Sequence, residues 1–252
     1  MAAGGNTGTW IYDYFIGREL NPRIGKLDLK FFNELRPGLL HWGLYNLSYA
    51  YKQSQLPEAG GFPDVWMILV LFFESYYILD AVMNEPAILT TMDITTDGFG
   101  WMLAFGDLAW VPGLYSLQAK FLSTNHSSLK DKFDIIYLAI VIALGITGMI
   151  IFRGSNSQKD TYKRDPNHKD VKWIPTIQGP AGTKPLMAGG WWGKARHINY
   201  LGDWLMSISW SLPCGFVSPL PYFYPVYFAV LLVHRDLRDE EKCELKYGKA
   251  WE

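Results

Sequence analysis

The sequence predicts an all-α, multispan transmembrane protein, and three observations lead to that prediction. The 252 residues are 49% hydrophobic and only 19% charged, which is too apolar for a disordered chain. Residues 135–152 carry no charged side chain and nearly reach the roughly 20 residues that span a bilayer. The sequence has no regular alternation of the kind found in membrane β-barrels, so helices remain as the way to satisfy the backbone in lipid.

Six apolar stretches follow one another along the chain and predict roughly six helical spans or parts of spans. They occupy residues 39–51, 65–83, 99–122, 135–152, 201–216 and 220–233. Three acidic residues interrupt them, namely Glu74, Asp80 and Asp107. A carboxylate at membrane depth costs about 3 kcal/mol, so each should face the protein interior or a wet cavity. A transporter, an intramembrane enzyme and a simple interhelical hydrogen bond all remain open as reasons for such a cavity.

Two polar segments are predicted to lie on the cytoplasmic side. Residues 153–172 form a long polar loop with six basic and three acidic side chains, which is typical of a cytoplasmic loop. Residues 234–252 predict a tail helix that carries a cluster of basic side chains and ends at Gly248. On that helix Asp239, Cys243 and Tyr247 share one face. A solvated amphipathic helix and a ligand-binding face both fit this spacing.

The segment 189–203 is a stronger candidate for a binding site. Its glycines allow close backbone approach to a ligand, and Trp192 offers a flat face. Polar donors follow at the mouth of a predicted span, at Arg196, His197, Asn199 and Tyr200. Lys159 and Lys163 would point the same way if their loop were helical. Residues 153–200 are therefore the predicted cofactor-binding region.

Several other classes of site are excluded. The chain has neither a Rossmann glycine motif nor a P-loop, so helices and loops would have to hold any nucleotide. A formal net charge of −1 argues against a nucleic-acid partner. The two cysteines cannot form a disulfide scaffold or a four-thiolate zinc site, and no metal site is predicted.

Long, ordered motifs run through nearly the whole chain. They occupy residues 12–25, 35–38, 91–100, 103–107, 115–118, 190–215 and 232–248. In this order they resemble the membrane sterol reductases, the family that includes delta-14, delta-7 and C-24(28) sterol reductases and the lamin B receptor. The Arg-His-x-Asn-Tyr-Leu-Gly-Asp motif of 196–203 is most similar to the delta-14 reductases and the lamin B receptor. The Ile-Thr-Thr-Asp-Gly-Phe-Gly motif of 94–100 is most similar to fungal delta-14 enzymes.

The resemblance implies a multi-pass enzyme of the endoplasmic reticulum membrane that reduces a sterol double bond with NADPH. The expected bond is delta-14(15) of an 8,14-diene sterol, reduced by protonation and hydride transfer. A delta-7 or C-24(28) reductase, or a lamin B receptor-like scaffold of the inner nuclear membrane, are the alternatives. An isoprenylcysteine-type methyltransferase shares an Arg-His loop but lacks the motif of residues 17–23. The expected partners are the sterol and the lipid bilayer, and no oligomeric state is predicted.

The resemblance also implies the cofactor contacts, position by position. They are Lys159, Lys163, Met187, Trp192, Asn199, Tyr200, Asp239, Cys243, Glu244, Leu245, Lys246 and Tyr247. The family usually has arginine where Lys163 stands, and lysine lacks the two-pronged fork of arginine. Beside the family, residues 1–252 are expected to be one membrane domain that lacks N-terminal spans and the extreme C-terminus.

The proton for such a reduction needs a buried donor, and Tyr77 is the predicted one. A neutral phenol is cheaper to bury in an apolar sterol pocket than a carboxylate. Asp80 and Asp107 are predicted to hold or relay the proton. The alternative for Asp107 is that it braces two helices.

Overall fold

The computed structural model describes residues 1–2, 4–89, 91–125, 135–183, 185–248 and 251. These residues are mostly helical, as the sequence predicts, with two short hairpins. The chain divides into two compact units. Unit 1 contains Met1–Lys132 and Pro213–Pro221, and unit 2 contains Phe133–Leu212 and Tyr222–Glu252.

Unit 1 is built from short helices around one longer apolar helix. Its helices are α1 (Trp10–Ile16), α2 (Leu29–Asn33), α3 (His41–Ser54), α4 (Val65–Met83), α5 (Glu85–Ile88), α6 (Met92–Thr95), α7 (Trp101–Phe105), α8 (Val111–Leu114) and α9 (Leu117–Thr124). Strands β1 (Arg23–Ile24) and β2 (Leu27–Asp28) pair antiparallel before α2. The core contains Trp42, Met67, Val70 and Leu122, each with no exposed surface.

Two π-helical segments interrupt the helices of unit 1 and pack against each other. Glu34–Leu40 joins α2 to α3, and Gly106–Trp110 joins α7 to α8. Pro37 lies inside the first segment, where its missing N–H disturbs the regular hydrogen-bond ladder. Gly38 is buried where the two segments meet, and a Cβ atom there would lie 3.7 Å from the Asp107 Cα, an ordinary van der Waals contact.

The apolar stretch of residues 99–122 forms several helical segments and not one continuous helix. The structure ends α8 at Leu114, and α9 begins at Leu117. Pro112 and Gly113 both weaken regular helix formation. The Ser116 hydroxyl donates to the Pro112 carbonyl oxygen at 2.7 Å and helps to close the turn.

Unit 2 contains three long helices and one hairpin. The helices are α10 (Ile135–Arg164), α11 (Ile198–Ser211) and α12 (Phe223–Tyr247), and β3 (Thr176–Ile177) pairs with β4 (Leu186–Met187). Short 3-10 turns cover Leu212–Cys214 and Leu220–Tyr222. The predicted loop that begins at residue 153 is therefore wrong as far as Arg164, because α10 continues through it. A separate tail helix from residue 234 is also wrong, because that stretch continues α12, although its predicted end at Gly248 is confirmed.

Helices α10 and α11 run antiparallel and meet at two glycines. A Cβ atom on Gly148 would lie 2.8 Å from the Gly202 carbonyl oxygen, and one on Gly202 would lie 2.5 Å from the Phe152 nitrogen. Small residues at a crossing let two helix backbones approach closely. The Tyr137 hydroxyl donates to the Leu212 carbonyl oxygen at 2.9 Å near one end of the pair. This close contact fixes the two helices along their length.

Among the described residues, two helices are long and apolar enough to cross a membrane: Val65–Met83 and Ile135–Arg164. Both expose large apolar side chains. On α4 they recur every three to seven residues, at Val65, Ile68, Phe72, Leu79 and Met83. Glu74 of the same helix is completely buried. The helix therefore has an apolar outer face and a partly polar inner one.

Candidate functional site

The polar ends of the three long helices of unit 2 come together. The Asn199 side chain of α11 donates to the Asn156 Oδ1 of α10 at 3.4 Å. His197, immediately before α11, lies 3.1 Å from the Asp236 carboxylate of α12. The glycine crossing and the antiparallel course of α10 and α11 produce this convergence. We call the set formed by residues 153–164, 187–200 and 235–247 the polar end of unit 2.

Trp192 is held as a flat face above α10. Its indole N–H donates to the Ser155 carbonyl oxygen at 3.0 Å. The Gln158 side chain accepts a 2.9 Å hydrogen bond from the backbone N–H of Trp191. The Lys159 Nζ lies 4.4 Å from the centre of the Trp192 ring, which is a cation–π distance. Lys159 and Trp192 were predicted site residues, and the structure brings them into contact.

Lys159 also links α10 to α12. Its ammonium group interacts electrostatically with Lys163 on the same helix and with Asp239 and Cys243 on α12. Lys159 and Lys163 lie one turn apart on a helix, so the condition for their sharing a face is met. Burial raises the pKa of the Cys243 thiol, and Asp239 raises it further. The thiol is therefore neutral near pH 7, although the nearby ammonium groups of Lys159 and Lys246 favour the thiolate.

Asn199 offers a hydrogen-bond acceptor that the fold leaves unused. Its Oδ1 is buried and accepts no hydrogen bond from the described residues. A buried amide oxygen without a donor costs free energy, unless a ligand supplies one. Together with Lys159 and Trp192, this acceptor fits a ligand that carries anionic groups, an aromatic ring and an amide or hydroxyl donor. The donor set thus fits a phosphorylated dinucleotide.

The segment before α11 holds α12 through two consecutive side chains. The Arg196 guanidinium donates to the Glu240 carboxylate at 2.7 Å and to the Trp251 carbonyl oxygen at 3.3 Å. His197 faces Asp236 and also lies 3.6 Å from the Asp239 carboxylate. The sequence indicated Arg196 and His197 as donors, but it did not indicate what they contact.

Some residues predicted for the site lie elsewhere or point outwards. Glu244, Leu245 and Lys246 are exposed, and Leu245 is 84% exposed. Tyr247 is buried instead, and its ring stacks on Trp251 with centroids 6.4 Å apart. Met187 lies in β4, opposite Thr176 of β3.

The three predicted catalytic residues belong to unit 1. Tyr77 and Asp80 lie on α4, and the Tyr77 ring is 5.8 Å from the Trp42 ring. The Asp80 carboxylate accepts a 3.3 Å hydrogen bond from the Asn84 side chain. Asp107 is buried in the second π segment. The charged groups that influence it are Glu34, Asp93 and Lys30.

Glu74 has the most enclosed carboxylate of α4. It is completely buried, and its Oε2 accepts hydrogen bonds from the Trp42 indole at 2.9 Å and from the Asn46 amide. The Trp42 ring meets Tyr115 edge to face, with centroids 5.4 Å apart. Glu74, Trp42 and Asn46 form what we call the Glu74 cluster.

Sequence reasoning missed three side chains of the polar end: Asn156, Gln158 and Asp236. A signal for the first two was available in the Ser-Asn-Ser-Gln run of residues 155–158, which lies one helical turn before Lys159. Asp236 lies three residues before Asp239, so the two share a helix face. Within the described part of the chain, no group of three or more His, Cys, Asp or Glu side chains is arranged to hold a metal ion.

Comparison with known proteins bears directly on the motifs. Residues 1–252 match the family described as the ergosterol biosynthesis ERG4/ERG24 family. The chain is 51% identical to the delta(14)-sterol reductase erg24 of Schizosaccharomyces pombe over 252 residues, which are 100% of this chain and 58% of that protein. It is 49% identical to the delta(14)-sterol reductase TM7SF2 of Mus musculus, again over 100% of this chain and 58% of the relative. The delta(14)-sterol reductase ERG24 of Saccharomyces cerevisiae is 49% identical over 100% of this chain and 55% of its own length.

The chain spans a little more than half the length of these relatives. The matches cover the whole chain, including the segments that carry the sterol reductase motifs, so the resemblance inferred from the sequence is confirmed. This chain belongs to the ERG4/ERG24 family.

Proposed function

We propose that the protein is an NADPH-dependent reductase that acts on the delta-14(15) double bond of an 8,14-diene sterol in sterol biosynthesis. The names of its relatives support the reaction class, since all three reported above are delta(14)-sterol reductases. The observation that carries the proposal is the polar end of unit 2. Its donors fit a phosphorylated dinucleotide at the positions that the resemblance assigns to the cofactor.

The polar end would bind the cofactor through complementary charge and stacking. Lys159 and Lys163 supply positive charge for phosphate groups, and Trp192 supplies a face for a ring. The buried Asn199 Oδ1 is ready to accept from an amide or hydroxyl donor. Tyr200, Asp239 and the stretch from Cys243 to Tyr247 complete the proposed contacts. When bound, NADPH supplies the hydride that the sterol carbocation receives.

Protonation is the other half of the proposed reaction. The 14(15) bond is conjugated with the 8(9) bond, so adding a proton gives a delocalised cation on the sterol. We assign the donor to Tyr77, with Asp80 and Asp107 holding or relaying the proton. Trp42 packs beside the Tyr77 ring, with centroids 5.8 Å apart.

The membrane supplies the setting. We propose that all six apolar stretches lie in the bilayer, including those that form part of α3, α11 and α12. The exposed apolar side chains of α12 support this for its first half, at Val226, Val230 and Val233. The polar segments of residues 153–200 and 234–252 would face the cytoplasm, and the membrane would be that of the endoplasmic reticulum or the inner nuclear envelope.

A sterol profile tests the reaction. The full-length protein is expressed in cells that lack delta-14 reductase, and their sterols are analysed by mass spectrometry. We expect the accumulated 8,14-dienes to disappear, and to return with Trp192→Ala or Asp239→Ala. Trp173→Ala is the matched control, because Trp173 is 63% exposed in the same unit. Persistence of the dienes despite full membrane expression contradicts the proposal, and cells lacking delta-7 or C-24(28) reductase then identify the bond.

The proton donor is tested separately with Tyr77→Phe. We expect this variant to bind NADPH normally and to lose at least about 100-fold in turnover, the typical contribution of a general acid. Tyr76→Phe is the neighbouring control on the same helix. Near-normal turnover of Tyr77→Phe would remove the assignment.

A further inference from the structure

His197 stands between two residues of the proposed cofactor site without being assigned to it. Its ring stacks on the Tyr200 ring, with centroids 4.7 Å apart and planes inclined by 14°. Its Nε2 lies 3.1 Å from the Asp236 Oδ1 and 3.6 Å from the Asp239 Oδ2. The imidazole thus contacts α11 through its face and α12 through its edge.

The two carboxylates lie on the same face of α12 because they are three residues apart. Of the two, the Asp236 carboxylate lies nearer to the Nε2 atom, at 3.1 Å, and the Asp239 carboxylate lies at 3.6 Å. His197 therefore lies against the Asp239 carboxylate and leaves its capacity to accept hydrogen bonds from another donor.

The charges around the ring come from two helices. Asp236, Asp239 and Glu240 face it from α12, and Lys159 faces it from α10. Burial lowers the pKa of His197, against the opposing effect of the three carboxylates. The ring is therefore mainly neutral near pH 7, and its link to α12 is a close contact between its Nε2 atom and two carboxylates rather than a fixed ion pair.

The ring also borders an open groove. This groove has a volume of about 380 Å³ and is lined by His197, Tyr200, Trp204, Leu232 and Asp236 among others. The ring supplies a flat surface for Tyr200 and a nitrogen atom beside the carboxylates, both at residues of the proposed cofactor site.

We propose that His197 is a positioning residue for the nicotinamide cofactor: it holds the Tyr200 ring and the Asp239 carboxylate in the arrangement in which they bind it. This inference rests on the proposed function, because it takes Tyr200 and Asp239 as cofactor contacts. His197 itself touches neither the sterol nor the reacting atoms in this role.

Two substitutions separate the contribution of the His197 ring face, which stacks on Tyr200, from that of its Nε2 edge, which contacts the carboxylates. His197→Phe keeps a ring to stack on Tyr200 but loses the Nε2–H. His197→Gln keeps an N–H donor near the Nε2 position but loses the ring. His168→Phe is the matched control, because His168 is a partly exposed histidine of the same unit.

The measurements are direct NADPH binding to the purified full-length protein, and KM for NADPH with kcat at saturating NADPH. For His197→Phe we expect Kd and KM to rise about tenfold, because the polar contact that holds the carboxylates is lost, with kcat nearly unchanged. His197→Gln should recover most of this loss. A merely structural histidine would lower the amount of folded protein and leave Kd and KM as they are.

The outcomes distinguish the two proposals. Normal Kd and KM in His197→Phe, in a protein whose unsubstituted form binds NADPH, would overturn the positioning role and leave the proposed function intact. An unsubstituted protein that binds NADPH but reduces no sterol would remove the proposed reaction, while the binding measurement still decides the role of His197. An unsubstituted protein without NADPH affinity would overturn both.

Discussion

Each unit contains a polar cluster in which side-chain nitrogen atoms contact carboxylates, and the two clusters differ in how far their carboxylates are exposed to solvent. The Glu74 cluster has a completely buried carboxylate, and both donors to it come from α3. The cluster around His197 has two carboxylates on α12 that are 46% and 36% exposed, and one imidazole to share between them. In both, a nitrogen donor ties one helix to a carboxylate of the next.

The two clusters differ in the free energy that is lost when one polar partner is removed. A buried donor without an acceptor bears its full desolvation cost, whereas a half-exposed one can turn to water. We therefore expect changes in the Glu74 cluster to act on folding and changes around His197 to act on ligand affinity. Each prediction below tests this division, from the largest expected effect to the smallest.

Glu74→Ala should cause the largest loss of stability. It leaves the Trp42 indole and the Asn46 amide buried without their acceptor, and each orphaned donor costs about 1–3 kcal/mol. The expected loss in the free energy of unfolding is about 2–5 kcal/mol, measured by denaturant unfolding of the full-length protein in detergent. Glu74→Gln keeps an acceptor and should lose much less. Equal losses for both variants would show that charge, not hydrogen bonding, matters there.

Gly202→Val should rank second, and its effect should reach the polar end. Its side chain would meet the Phe152 backbone of α10, so the two helices must separate. Overpacking of this kind costs about 1–3 kcal/mol. We also expect weaker NADPH binding, because Asn199 lies one turn before Gly202 on α11. Gly113→Val, where a Cβ atom would meet nothing within 4 Å, is the control for adding a branched side chain to a helix. Unchanged NADPH affinity in a folded Gly202→Val protein would show that the crossing does not position the site.

Arg196→Ala should change stability only slightly. Its ion pair with Glu240 is 2.7 Å long, but the two side chains are 49% and 39% exposed. Exposed pairs contribute about 0–1 kcal/mol. We expect a change of about 0.5 kcal/mol in unfolding free energy, together with less protection of the tail in hydrogen exchange. A loss as large as that of Glu74→Ala would break the contrast between the two clusters.

The reactivity of the two cysteines tests the difference in solvent exposure between the two regions without any substitution that changes stability. Cys214 in unit 1 is completely buried, whereas Cys243 in unit 2 is partly exposed. A maleimide should therefore label Cys243 in the native protein and leave Cys214 intact. The raised pKa of Cys243 means that less thiolate is present near pH 7, so labelling should be slow there and should accelerate as the pH rises towards that pKa. NADPH should protect Cys243, and labelling of Cys214 in folded protein would contradict the assignment of buried and open regions.

Local sequence patterns predicted some helix boundaries correctly and missed others. The end of α12 was predictable, because Gly248 can adopt a positive φ of 52° that other residues rarely take. The break after Leu114 was not, although Pro112 and Gly113 were visible, because the apolar character of residues 99–122 continues through the break. The helical course of residues 153–164 was masked by its polarity, which is equally typical of loops.

The residues of the candidate site were predictable from the sequence, but their contacts were not. The residues of the polar end came from motifs, and Lys159 and Trp192 do meet. Their partners could not be predicted, because the contact between His197 and Asp236, which are 39 residues apart in the chain, depends on how α11 and α12 pack. Long-range pairing of this kind leaves no periodic signal in a single sequence.

Because α10 is one continuous helix, the sequence position of a residue sets both its height along the helix axis and its angle around that axis. Thirty residues of α-helix extend about 45 Å, well beyond the hydrocarbon thickness of about 30 Å. Lys159 lies seven residues past the last apolar residue of this helix, Phe152, and therefore about 10 Å further along its axis. Inserting one residue between them would rotate Lys159 by about 100°, away from Trp192, whereas four inserted residues would nearly restore its angle and lift it by about 6 Å. The length of α10 thus sets how far Lys159, and its contact with Trp192, lie from the apolar stretch of the helix.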